Sequence, residues 1–159
     1  MNGINNADGR CTEDAHQRFA RYLHELVVVR DEDEADLVTR ILRDRDTAMA
    51  QSAIVRHLYR HAAQLLTDDG FTSWAHAMAE ISAEREFLTH RLREWTLLRS
   101  ITVGEPWDSE EVTTGSDWFQ RKAVEILPSP AGLTLLAEAG RTRRVRAGAS
   151  RRLQRHHRG

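Results

Sequence analysis

The sequence predicts an all-α protein: a single-domain helical bundle or irregular helical array of five to seven helices, with one long central helix. Three observations carry that expectation. The only three prolines are Pro106, Pro128 and Pro130, so nothing in the chain before position 106 interrupts a helix by loss of a backbone donor. Apolar residues recur three and four positions apart in successive segments. Serine, threonine or aspartate precedes most of those segments, where helix starts need a side-chain acceptor. With 159 residues, 40% hydrophobic and 30% charged, the chain is long enough to bury a real core, with a more charged surface than the globular norm.

Residues 1–11 are polar and are expected to be disordered. Thr12 is placed to cap a helix to about Arg30, with Phe19, Tyr22, Leu23, Leu26 and Val27 on one stripe. Asp31 to Glu34 reads as an acidic connector ahead of a short helix, Ala35 to Arg43. Thr47 is the expected cap of the next helix, which runs to about Leu66. Asp68-Asp69-Gly70 is a turn. The long central helix is expected from Ser73 to Ile101. Trp74, Met78, Ile81, Leu88, Leu92 and Trp95 lie on a near-heptad seam in which Arg85 occupies the missing apolar position. That seam is also a possible homodimer surface. An acidic loop follows, 102–115, and then a helix from Asp117 to Leu127 capped by Ser116. A short helix, Ala131 to Glu138, ends at Gly140. The last segment has helical spacing, with Val145, Ala149 and Leu153 four apart.

Charge divides the chain more sharply than hydropathy does. Residues 141–159 hold eight arginines, two histidines and no acid, whereas residues 1–140 carry fifteen Lys+Arg against twenty-four Asp+Glu. The net charge of −1 therefore conceals an acidic helical body, 12–140, joined to a basic C-terminal helix, 141–159. Arg141, Arg143, Arg144, Arg146, Arg151 and Arg152 are the expected contact residues, since a guanidinium fork clamps phosphate or carboxylate alike. The acids of Asp31 to Asp36 and Glu105 to Glu111 are possible competitors for them, within the chain or from another subunit.

Two stretches share a pattern 96 residues apart, with Ala35, Leu37, Met49 and Ala53 matching Ala131, Leu133, Val145 and Ala149. Each reads as a short helix, a tight turn and a longer helix. The pattern resembles the helix pair of HEAT-like helical-hairpin repeats, which would imply an interaction scaffold. The C-terminal pair also reads as a degenerate helix-turn-helix. Leu136 and Gly140 have the required separation and Arg143, Arg144 and Arg146 open the second helix. The expected apolar anchor falls on Arg146, and Val145 comes one position early.

Few features point to chemistry. His57 and His61 are four apart on one face with Ile54 and Leu65, a spacing that lets two imidazoles reach one metal. The residues between them, Leu58-Tyr59-Arg60, lack the glutamate of the metalloprotease pattern. They are weak metal candidates. Cys11 is the single cysteine, so no disulfide forms within the chain and a reducing compartment is expected. No Gly-rich phosphate loop or nucleophile motif is present, and no catalytic residue is assigned. Trp107, among Glu105, Asp108, Glu110 and Glu111, is a possible partner-binding side chain.

A polar start argues against a secretory signal, and the longest apolar run near it, Leu26 to Val29, is too short to span a bilayer. Twenty-two arginines against Lys122 alone suit a GC-rich bacterial genome. The expectation is a non-catalytic bacterial cytoplasmic interaction or regulatory protein without a cofactor. Its basic end would contact a polyanion, nucleic acid or acidic protein surface. The alternatives are a DNA-binding transcription or replication regulator using the C-terminal helix pair, and a metal-binding protein around His57 and His61.

Overall fold

The computed structural model describes the backbone from residue 6 and side chains from residue 14. The first five residues of the N-terminal segment expected to be disordered, and the side chain of Cys11, lie outside the described residues. The protein is all-helical, with nine helices among the described residues: α1 (Asn6–Val28), α2 (Asp31–Leu42), α3 (Thr47–Leu65), α4 (Phe71–Ile81), α5 (Glu86–Val103), α6 (Ser109–Thr113), α7 (Asp117–Ile126), α8 (Pro130–Ala139) and α9 (Arg143–His157). No helix among the described residues is long and apolar enough to cross a membrane.

The helix count exceeds the expected five to seven because one break and one short turn of helix, α6, escape the hydrophobic pattern. The long central helix, Ser73 to Ile101, is not continuous. It divides at Ser82 to Arg85, where i→i+3 contacts such as Arg85 N to Ser82 O (2.8 Å) tighten the chain out of the α-helix. The cause sits in the seam itself. Arg85, at the missing apolar position, turns away to donate Nη2 to Leu42 O at 2.9 Å. Trp74, Met78, Leu88, Leu92 and Trp95 are nevertheless buried within the chain, so the seam does not offer the homodimer surface expected of it.

Other helix starts also differ from expectation. α1 begins at Asn6, before Thr12. Asp31 to Glu34 form the first turn of α2, because carboxylates suit the positive end of a helix dipole. Asp46, not Thr47, caps α3 by accepting from Met49 N at 3.0 Å. The acidic 102–115 segment contains α6, capped by Asp108. Ser116 caps α7 and Thr142 caps α9.

The chain divides into two compact units. The first comprises Met1–Gln64 with Ser73–Thr89, and the second Leu65–Thr72 with His90–Gly159. In the first, Leu26, Val38, Ile41, Ile54, Leu58 and Met78 are buried, and Asp44 joins α1 to the α2–α3 turn. Asp44 accepts from Arg18 Nε at 2.9 Å and Tyr22 Oη at 2.7 Å. The Arg18 hydrogen bond, against opposing burial, holds the Asp44 carboxyl at about 2. In the second unit, Trp95, Phe119, Leu133, Leu136, Val145 and Ala149 are buried. Gln120 is fully enclosed; its Nε2 donates to Val112 and Thr113 carbonyls and its Oε1 accepts from Arg141 N. That one amide fastens α6 and α7 to the turn between α8 and α9.

Candidate functional site

In the second unit, α7, α8 and α9 pack on one another, and the sequence dictates how α9 is held. Pro130 opens α8 at a position where its missing N–H costs nothing, and Gly140 ends the helix. The turn has no room for a larger residue: a Cβ at Gly140 would lie 2.6 Å from Leu136 O and 2.7 Å from Val145 Cγ1. Thr142 Oγ1 then accepts from Val145 N at 3.1 Å and starts α9. Val145, Gly148 and Ala149 form its buried face, Leu153 is half-buried, and residues 154–159 are all exposed.

The six arginines expected to contact a ligand separate into two groups. Arg152 is half-buried and donates to Val124, Glu125 and Leu127 carbonyls at 2.5, 3.2 and 2.9 Å, closing the C-terminal end of α7. Arg146, also half-buried, donates to Gly140 O at 2.7 Å and closes α8. Arg141 is exposed but donates to Gly115 O at 3.0 Å, just beyond α6. These carbonyls are the acceptors a helix leaves unsatisfied at its negative end, and a cation there gains from both hydrogen bonding and the dipole. Arg143, Arg144 and Arg151 instead face solvent. Among the described residues, no ion pair joins any arginine of α9 to a carboxylate. Residues 144, 147 and 151 follow the three–four spacing of one helix face, and Ala147 between the arginines leaves room for close approach.

The same capping role recurs elsewhere. Arg60 reaches Leu26 O near the end of α1, Arg85 reaches Leu42 O at the end of α2, and Arg99 donates to Leu66 and Asp68 carbonyls after α3. Six of the twenty-two arginines thus donate to carbonyls at or just beyond helix ends.

The first unit gathers the histidines. Glu34, 5% exposed, accepts at Oε2 from His57 Nε2 (2.5 Å), His61 Nδ1 (2.6 Å) and Trp74 Nε1 (3.1 Å). Burial would raise the Glu34 carboxyl, but hydrogen bonds from His57, His61 and Trp74 outweigh it and hold it at about 2. Glu34, His57 and His61 are residue types that ligate a divalent metal, and their ligand atoms lie within 4.8 Å of one another. One feature favours hydrogen bonding over coordination at His57. Arg60 Nη2 lies 3.1 Å from His57 Nδ1, and a guanidinium only donates, so Nδ1 accepts and Nε2 carries the proton. A metal on Nε2 would move that proton to Nδ1, facing another donor where a ligating histidine needs an acceptor.

The pairing of His57 with His61 was legible in their spacing; Glu34 and Trp74 were not identified. Glu34 carried one available signal, since it stands three, four and seven positions before Leu37, Val38 and Ile41, on the buried face of α2. Trp107 is half-buried on the coil before α6. The two stretches that resemble repeats are both helix pairs, α2–α3 and α8–α9, and Leu37, Ala53, Leu133 and Ala149 are buried in each.

Fold and site together describe an all-α protein with an arginine-bearing C-terminal helix. No protein-family model matches this chain, and comparison with curated proteins and with solved structures gives no match either.

Proposed function

We propose that this is a non-catalytic interaction protein of the bacterial cytoplasm that binds nucleic acid through the solvent face of α9. The observation that carries the proposal is the exposure of Arg143, Arg144 and Arg151 on an anchored helix, without a carboxylate partner among the described residues. Guanidinium forks so placed meet phosphates with little ordering cost, because the helix is already fixed by Val145, Ala149 and Arg152. Three phosphate contacts predict log affinity falling against log salt with a slope of about −3 for duplex DNA.

Fluorescence anisotropy with labelled duplex DNA, single-stranded DNA and RNA across a salt series tests it. The triple variant R143E/R144E/R151E should lose binding while keeping its helical circular dichroism. Unchanged affinity in that variant would sink the proposal. Polyglutamate binding as tightly as the oligonucleotides would move the target to an acidic protein surface.

A second reading, a regulator that reads duplex DNA through α8 and α9, is favoured by the three-residue turn Gly140-Arg141-Thr142 and by Val145 filling it. In that arrangement Arg143 and Arg144 would lie at the groove-entering start of the second helix. Selection of sequences from a random duplex pool distinguishes it: enrichment of one motif supports base readout, and none supports phosphate contact alone.

A further inference from the structure

A second surface has the opposite chemistry. In the first unit, the end of α1 and one side of α2 border a groove of about 410 Å³, lined by Glu25, Val28, Val29, Asp33, Asp36, Leu37 and Arg40. Its floor is aliphatic and its rim acidic. The single cation, Arg40, is already paired with Glu25 at 3.3 Å. Val28 at its edge and the neighbouring Val27 are 64% and 62% exposed, the two most exposed of the large aliphatic side chains on the described surface. Asp31 and Glu32, also exposed, extend the acidic rim along the first turn of α2.

The complementary element is on the same chain. The buried face of α9 ends at Ala149 and Leu153 is half-buried, but the helix continues to His157. Its last turn therefore stands in solvent, bearing Arg155, His156, His157 and Arg158, and none of these forms an ion pair among the described residues. A groove of this volume accepts side chains rather than a whole helix.

We propose that the protein self-associates, the basic last turn of α9 of one copy seating over the acid-rimmed groove between α1 and α2 of another. The contact is heterologous, so two of them made reciprocally close a dimer, whereas unreciprocated contacts run on into chains. Small area and charge-dominated complementarity make it weak and salt-sensitive. It uses Arg155 and Arg158, whereas the nucleic-acid proposal uses Arg143, Arg144 and Arg151.

Sedimentation velocity of the full chain, freed of nucleic acid, tests the idea at low and high salt over a concentration series. Self-association at low salt, weakened at least about tenfold by high salt, is the expected result. D33R/D36R and R155D/R158D should each be monomeric, and an equimolar mixture of the two should associate one to one, since both contacts are then complementary. A wild-type monomer throughout, a wild-type oligomer that both variants retain, or a mixture that stays monomeric overturns the proposal. Circular dichroism checks that each variant folds. Should D33R/D36R unfold, V28R puts a like charge in the same groove from an exposed position and should also be monomeric; a V28R protein that associates as wild type does overturns the proposal. D33R/D36R should keep its salt-dependent DNA binding, so failure of either proposal is read separately.

Discussion

Around Glu34 the fold encloses a charge, and along α9 it displays several. The carboxylate is surrounded by side-chain donors from α3 and α4, so its charge is satisfied within the molecule. Among the described residues, the C-terminal guanidiniums have only backbone carbonyls as intramolecular acceptors, and three of the six expected contact residues have none. The difference follows from chemistry. A buried anion needs donors at once, because desolvation without them costs several kcal/mol. An arginine can lay its stem on the protein and leave its head in water. One region is thus built for stability and the other retains free binding capacity, which is why the proposed function rests on α9.

The largest effect expected is at the enclosed charge. Glu34→Ala leaves three buried or half-buried donors facing one another and should cost about 3–5 kcal/mol, lowering Tm by roughly 10 °C by differential scanning calorimetry. The pH dependence sharpens this. The Glu34 carboxyl sits at about 2 in the fold, below its ordinary value near 4.5. Its stabilisation is therefore complete above about pH 4.5 and is lost as pH falls toward 2. The gap in Tm between wild type and Glu34→Gln should be wide at pH 7 and narrow progressively over that acid range. A constant gap would mean that the charge contributes little.

An intermediate effect is expected where the displayed helix is joined to the fold. Gly140→Ala forces a methyl group against Leu136 O and Val145 Cγ1, and should cost about 1–3 kcal/mol in urea unfolding. The backbone there has φ of −59°, open to any residue, so the cost measures crowding rather than backbone strain. If Gly140→Ala is neutral, α9 is held less firmly than Val145 and Arg146 suggest, and its preorganisation for a ligand falls with it.

How much of this was legible follows from which partner each residue uses. The all-α class, the caps at Ser116 and the stop at Gly140 depend on neighbours in sequence, and local chemistry reveals them. The shared face of His57 and His61 was legible for the same reason. Glu34 was hidden inside an acidic run that suits any solvated helix start, and its partners lie 23 to 40 residues away. Arginines that close helices are harder still, because their acceptors are backbone carbonyls and no residue type marks them. Arg85 shows the cost: counted as a gap in an apolar seam, it hid the break between α4 and α5. Arg152 did carry a trace, standing seven positions after Val145 and so on the same helix face.

That trace yields the finest test of the comparison, between two adjacent arginines. Arg152 gives its donors to the carbonyls that end α7, so Arg152→Ala should cost about 1–2 kcal/mol in urea unfolding by leaving partly buried acceptors unpaired. Arg151 faces solvent with no intramolecular acceptor among the described residues, and Arg151→Ala should change stability by less than about 0.5 kcal/mol. Their effects on DNA affinity, measured by anisotropy at fixed salt, should run the other way. Loss of Arg151 removes one phosphate contact and lowers the salt slope by about 1, whereas loss of Arg152 leaves the slope unchanged. Equal slopes in the two variants would mean that nucleic acid, if bound, is bound elsewhere than on the exposed face of α9. Equal stability losses would mean that α9 has no separation between the arginines that hold it and those that face a ligand.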